Sequence, residues 1–332
     1  MKNEIMVSIC CLAYNHEKYI RKTLDGFVNQ KTNFNYEILI HDDCSTDNTV
    51  NIIEEYRKKY PKLIKPIYQK ENQYSKGIKV SNIYQFPRAQ GKYIAMCEGD
   101  DYWIDMNKLQ KQYDKMERNT NCSICTHMVG HISESGERLY ITQPDKTVRE
   151  ILNDIISIEE LFFNIFKRVT MPFQTSSYFI KKIYIFDYLK EDSFFQKTKI
   201  GDLPLVWYIM TKGNMCYIDE EMSLYRENSI GSWSNKRLFD QGYRLQHYCG
   251  MIEFLEKYDL YTNFRFHQRI EHMILIAHIR KKDYREVFKK RYRSVLMDGE
   301  ISRKEILYYF LYAYFPIIIR FYKRFKRSYD EK

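Results

Sequence analysis

The strongest constraint on the fold is an alternation. Four short apolar runs, residues 7–12, 36–40, 64–68 and 93–97, are separated by segments whose apolar residues recur at helical spacing. After the first run, Tyr19, Ile20, Thr23, Leu24, Phe27 and Val28 mark one helix, with Asn15 placed to cap it. After the second, Val50, Ile53, Tyr56 and Tyr60 mark another, which Pro61 closes. A polar stretch with a short helix is expected over residues 71–90, before the fourth run. Strands alternating with helices predict an α/β fold with a mainly parallel sheet covered on both faces. In such a sheet ligands bind beyond the carboxyl ends of the strands.

Two of the runs end in carboxylates. The second leads into His41-Asp42-Asp43-Cys44-Ser45-Thr46-Asp47 and the fourth into Glu98-Gly99-Asp100-Asp101-Tyr102-Trp103. Both turns fall at strand carboxyl ends, so they are expected on one rim. Crowded carboxylates repel one another unless a proton, a basic side chain or a metal neutralises them, and hard divalent ions take oxygen ligands. The alternative for the second turn is a helix cap, because a helical pattern follows from Leu109. No GxGxxG or GxxxxGK[ST] loop occurs in this half, which argues against a nicotinamide-binding Rossmann domain and a P-loop ATPase.

These blocks carry a resemblance. Val7-Ser8-Ile9 through Ala13-Tyr14-Asn15, the turn at Asp42-Asp43, Gly91-Lys92-Tyr93-Ile94 and the Glu98 to Trp103 block resemble the family 2 glycosyltransferases, over roughly residues 5–235. The resemblance implies a GT-A fold and an inverting, metal-dependent transfer of a sugar from a nucleotide donor, a UDP-sugar above all. It implies that Ala13, Tyr14 and Asn15 line the nucleotide pocket, and that Asp43, or else Asp42, accepts a hydrogen bond from the base. It also implies that Glu98, Asp100 and Asp101 hold Mn²⁺ or Mg²⁺ against the diphosphate, where the ion offsets charge on the leaving group.

The second half is less regular. Residues 131–145 are expected as a hairpin or surface loop, and 155–166 as a helix on the core or a wall of the acceptor site. Thr175 and Ser176, before a strand-like run at 178–180, are either acceptor contacts or buried hydroxyls satisfied by backbone. Then comes Gly201-Asp202-Leu203-Pro204, where relatives carry a Glu-Asp pair opening a helix. Asp202 therefore matches the catalytic base, with Gly201 in place of the Glu; alternatively Asp202 caps the helix that Pro204 starts. A further strand is expected over residues 213–219. In the block after it, Arg226, Ser232 and Trp233 match residues expected to close over the diphosphate, and Asn228 stands where relatives often show His.

From residue 236 the family pattern stops. Leu245, Met251, Phe254 and Leu255, then Ile270, Met273, Ile274 and Ala277, predict helices with one apolar face. Residues 306–319 are uncharged, shorter than the ~20 residues of a spanning helix, and lead into Arg320, Lys323, Arg324, Lys326 and Arg327. That segment is either a terminal helix with a basic tail or an amphipathic element lying on an anionic membrane. The charge balance of +10, from 53 Lys and Arg against 43 Asp and Glu, favours anionic partners. Because the charge gathers in the tail without a recognisable aromatic–basic module, a nucleic-acid partner is not expected. The eight cysteines lie mostly in apolar runs and no signal peptide is evident, which suggests reduced thiols and a cytoplasmic protein, peripheral on the membrane's inner face. A zinc site at Cys122, Cys125 and His127 is disfavoured, since residues three apart in a strand face opposite ways and no second pair follows.

The expected organisation is a GT-A domain over residues 1–235, split into a nucleotide-sugar half (1–115) and an acceptor half (116–235), followed by a helical extension over 236–332. The expected partners are a nucleotide sugar and a glycan or lipid-linked acceptor, in the setting of bacterial surface polysaccharide synthesis. Two rivals differ in class: a nucleotidyltransferase, which would show a Gly-rich basic loop absent from residues 7–15, and a scaffold of the same fold with weakened turnover.

Overall fold

The computed structural model describes residues 4–166, 171–191, 194–198, 200–229, 235 and 239–317. The described residues up to 165 and from 171 to 236 pack as one unit, and those from 239 onward form a second.

The first unit is built on one sheet. Its strands are β1 (Ile5–Ala13), β2 (Asn35–Asp42), β3 (Ile64–Tyr68), β4 (Tyr93–Glu98) and β5 (Tyr102–Trp103). They continue with β6 (Cys122–Ile132), β7 (Arg138–Gln143), β8 (Ile155–Ile156), β9 (Phe179–Lys181) and β10 (Asn214–Arg226). The spatial order is β3-β2-β1-β4-β9-β6-β10-β5, with β7 on β6 and β8 on β10. The part foreseen from the alternation, β3-β2-β1-β4, is parallel throughout. Beyond it the sheet is mixed: β9 runs antiparallel to both β4 and β6, while β6 and β10 are again parallel.

The inner parallel strands β1, β2 and β4 are buried on both faces over most of their length, which is why their sequences read as apolar runs, while the edge strand β3 is half-buried. On one face, Val7, Ile9, Cys11, Ile38, Ile40, Tyr93, Ala95 and Cys97 meet Ile20, Leu24 and Phe27 of α1 (Ile20–Val28) and Ile52, Ile53 and Tyr56 of α2 (Thr49–Lys59). Leu109 and Met116 of α3 (Lys108–Arg118) join the same core. Phe27 meets Trp103 edge-on, with ring centres 4.7 Å apart. The polar stretch at 71–90 folds into three short helical turns, of which Gln85 is fully buried and donates to the carbonyls of Cys11 and Leu39.

Several local expectations change in three dimensions. Residues 131–145 do form a hairpin, β6 with β7. Residues 155–165 are not one helix: Ile155 and Ile156 pair with β10, and two short helical turns follow. The strand expected at 213–219 runs on through Arg226, because β6 supplies a partner along that whole length. Helix α1 begins at Ile20, behind Tyr19, so Asn15 lies too far upstream to cap it.

In the second unit α5 (Gln241–Tyr261) packs on α6 (His267–Lys281), with Met251, Phe254, Leu255 and Tyr258 facing a core that includes Ile270, Met273, Ile274 and Ala277. Leu245, expected in that stripe, is exposed. Helix α7 (Arg303–Tyr314) stops before Pro316 and starts from a capping box made by Ser302 and Glu305. Here α4 denotes Leu203–Met210 of the first unit. Among the described residues no helix is long and apolar enough to cross a membrane, and the basic residues 320–327 lie outside them.

Candidate active site

Register places the two acidic turns side by side. Ala13 at the end of β1 lies opposite Asp42 of β2, and Leu12 lies opposite Glu98 of β4, so both turns occupy one rim of the parallel sheet.

The first turn is a latched loop. Ala13 is buried, Tyr14 is 44% exposed, and Asn15 takes a left-handed backbone with φ 55°. Asn15 donates its amide to Ser45 Oγ at 2.9 Å and accepts from the Thr46 amide at 2.8 Å. It therefore ties the β1 and β2 loops together rather than capping a helix. Asp42 accepts from the amide and hydroxyl of Ser45, and burial holds its carboxyl above the usual range. Asp43 accepts the amides of Gln73 and Tyr74 at 2.8 and 3.0 Å, one on each oxygen, and its own amide donates to the Ala13 carbonyl. A base contact at Asp43 has to use the lone pairs these bonds leave.

The second turn divides its carboxylates between support and solvent. The Gly99 amide donates to the Leu12 carbonyl at 2.8 Å, and a Cβ at Gly99 would lie 2.7 Å from His16 Nδ1, so only glycine lets the turn fold back against β1. The Thr23 hydroxyl donates to the Asp101 carbonyl at 2.6 Å. Asp101 is 2% exposed and accepts the Arg226 amide at 2.9 Å; burial first, then Asp100, pushes its carboxyl far up. Asp100 accepts from the Ser229 hydroxyl at 2.6 Å and has His16 Nε2 4.0 Å away. Glu98 is reached by solvent at the end of β4, with protein packed around it. Burial raises its carboxyl to about 8, with Asp100 and Asp202 adding repulsion. Glu98, Asp100 and Asp101 do not bring one oxygen each within 4.8 Å of one another. The three are thus not equivalent: Asp101 accepts a backbone amide, Asp100 is buried and accepts from Ser229, and Glu98 alone is exposed to solvent.

Arg226 holds this turn in place. Its Nε donates to the Asp100 carbonyl, its Nη1 to the carbonyls of Ser133 and Glu134, and its guanidinium lies 4.4 Å from the Tyr19 ring centre. These bonds commit it to a supporting position. Asn228 adopts φ 57°, a conformation asparagine tolerates well, and Ser232 and Trp233 lie outside the described residues.

Asp202 sits at the N-cap position of α4, with Pro204 in the first turn, yet its side chain makes no capping bond. It accepts instead from the Thr175 hydroxyl at 2.6 Å. Burial raises its carboxyl, while Thr175 and Tyr178 hold it down by hydrogen bonding the ionised form. Thr175 is thus neither free nor satisfied by backbone, whereas Ser176 is buried and meets the Ser223 hydroxyl at 3.0 Å. The sequence reading missed His16 altogether. A lone histidine in a polar loop carries no periodic signal, and only the fold-back at Gly99 brings it to the acidic turn. Cys122, Cys125 and His127 form no metal-ligating group, and all eight cysteines are free thiols.

A protein-family model, glycosyl transferase family 2, matches residues 8–186. An uncharacterised Mycobacterium tuberculosis protein is 33% identical over 231 residues, 68% of this chain and 60% of that protein. The Escherichia coli UDP-Glc:alpha-D-GlcNAc-diphosphoundecaprenol beta-1,3-glucosyltransferase WfgD is 33% identical over 117 residues, 35% of this chain and 43% of that protein. The chain thus spans about three fifths of the length of the first relative and under half of the second. Among solved structures, S. aureus TarS 1-349 in complex with UDP-GlcNAc superposes with a TM-score of 0.61 at 16% identity, covering 87% of this chain and 78% of that one, a likeness of fold.

Proposed function

The chain belongs to glycosyl transferase family 2 and has its GT-A fold, and from that premise we propose that it transfers a sugar from a UDP-sugar to the hydroxyl of a glycan or lipid-linked acceptor, with inversion. The observation that carries this reading is the register of the sheet. The two acidic turns share one rim of the sheet by strand register, and there the charge of Asp202, after burial and Asp100, adds to the rise of the Glu98 carboxyl.

In this reading Tyr14 and the β1–β2 loops bind the nucleoside, and the internal bonds of Asn15, Asp42 and Asp43 hold those loops in shape. Glu98 and Asp100 would hold Mn²⁺ or Mg²⁺, for which two adjoining carboxylates are a suitable oxygen donor set. When bound, that ion offsets charge on the diphosphate leaving group. Asp101 and Arg226 keep the acidic turn in position. Asp202 takes the proton from the acceptor hydroxyl as its oxygen attacks the anomeric carbon and the nucleotide departs on the opposite side. A single displacement of this kind forms no covalent sugar–protein bond.

Support for a UDP-sugar and a lipid-linked acceptor comes from what the names of WfgD and the TarS complex state of those proteins. A place on the cytoplasmic face of the membrane, in surface polysaccharide synthesis, follows from the same acceptor chemistry. The test is calorimetric titration of UDP with and without Mn²⁺ into the wild type and Asp100→Ala. Metal-dependent binding that weakens in the variant supports the reading and justifies a screen of UDP-sugars. No binding of UDP under either condition rejects the UDP donor, and silence with GDP, CDP and dTDP as well favours a scaffold, a reading to which Gly201 and Asn228 already give some weight.

A further inference from the structure

A second cluster of metal-ligating side chains lies in the helical unit. Asp259 near the end of α5, His267 at the start of α6 and Glu271 one turn further along α6 each offer a ligand atom within 4.8 Å of the others. Residues four apart share a helix face, which puts His267 above Glu271. The turn between the helices brings Asp259 to them, with the Phe264 amide donating to the Asp259 carbonyl at 2.8 Å.

The partners within the cluster leave a deficit. Asp259 Oδ2 meets His267 Nδ1 at 2.6 Å, but Oδ1 is buried and has no hydrogen-bond partner among the described residues, and the residue is only 5% exposed. A buried carboxylate oxygen without a partner is costly, and a cation is one way to satisfy it. Arg291 grips Glu271 through Nε and Nη2, at 2.6 to 3.0 Å, and gives Nη1 to Glu256 at 2.8 Å.

We infer that Asp259, His267 and Glu271 form a site for a borderline divalent transition ion of the Zn²⁺ class, which clamps the α5–α6 turn. Imidazole with two carboxylates is a donor set that such an ion accepts, at about 2.0–2.2 Å per bond. The ion binds Asp259 through the orphaned Oδ1 as well as Oδ2 and takes the place of the proton at His267 Nδ1, so the 2.6 Å approach of Nδ1 to Oδ2 opens by up to about 1 Å to admit bonds of about 2.0–2.2 Å. Arg291 becomes the outer partner that orients Glu271. His267, with a side chain 54% exposed, provides the entry path and leaves a coordination position open to water.

The full chain, stripped with EDTA, is titrated with ZnCl₂ by calorimetry, and its melting temperature is followed with and without Zn²⁺. His267→Gln, an exposed change that does not threaten folding, is expected to weaken Zn²⁺ binding at least tenfold and abolish a metal-induced rise of a few degrees. Asp100→Ala, in the other unit, is expected to keep both effects, which separates this site from the acidic turn and from the glycosyltransferase reading. Equal Zn²⁺ affinity and melting shift in wild type and His267→Gln overturn the inference. So does loss of both effects in Asp100→Ala. No Zn²⁺ binding at all leaves a His267–Asp259 ion pair as the whole content of the cluster and overturns it equally.

Discussion

The Thr175 hydroxyl helps set the protonation of Asp202. A general base must be ionised, and burial raises the Asp202 carboxyl above its ordinary 3.8, so turnover should fall as pH drops through that raised value. Thr175→Val removes a bond that favours the ionised form, and should move the acidic limb of the pH–rate profile to higher pH without changing UDP affinity. Asp202→Asn should lower turnover by about 10²–10⁴-fold with UDP binding, read by calorimetry, intact. If turnover survives Asp202→Asn, Asp202 only opens α4. Lys108 offers a second pH-dependent test. It is fully buried, donates to Gln112 Oε1 at 2.7 Å and lies 3.9 Å from the Trp103 ring centre, and burial lowers its amine from 10.5 to about 7. Between those values the unfolded chain binds a proton that the folded chain refuses, so stability should rise with pH across the window and be lowest below about 7. Lys108→Met should flatten that slope in denaturant titrations across the same range; an unchanged slope would mean the amine does not titrate there.

Strand β4 reaches its place beside β1 only because residue 91 has no side chain. A Cβ on Gly91 would lie 2.5 Å from the Ser8 amide nitrogen, backbone that cannot give way, while the Gly91 amide donates to the Ser8 hydroxyl at 2.9 Å. Gly91→Ala should cost about 1–3 kcal/mol by the overpacking mechanism, read as a lower denaturant midpoint. Phe27→Ala, which empties the contact between α1 and Trp103, should cost about 3–5 kcal/mol. A loss below ~1 kcal/mol in Phe27→Ala would show that α1 can close onto the sheet without it. The elements legible beforehand are those carrying a continuous apolar run or one helical period: β1 to β4, β9, α1 to α3, α5 and α6. The strand expected over residues 213–219 stops short of the full β10 because Asp219, Glu220 and Glu221 interrupt its apolar pattern. Its continuity is imposed by pairing with β6 across bulges, a non-local effect that a sequence window does not contain.

For the whole molecule, the exposed Leu307, Tyr308, Phe310 and Tyr314 on α7, followed in sequence by five basic residues between 320 and 327, should draw the full chain to anionic vesicles. Co-sedimentation should fall as salt rises and the Debye length drops below about 10 Å; equal binding to neutral vesicles would sink the electrostatic part of the idea. Residues 8–186 alone were enough for the family to be read from sequence, because the strand runs, their acidic ends and the glycines between them are local patterns in a fixed order. Local pattern also gave the sharing of one rim, since parallel strands put their carboxyl ends on one side. Tertiary structure decided which side chains are available. It turned Asn15 from a cap into a latch, tied Asp101 and Arg226 into the frame, brought His16 to Asp100, and gathered Asp259, His267 and Glu271 from two helices. A hydrogen bond joins residues by distance in space, and distance in space across 30 to 129 positions of chain is fixed by packing, not by any stretch of sequence on its own.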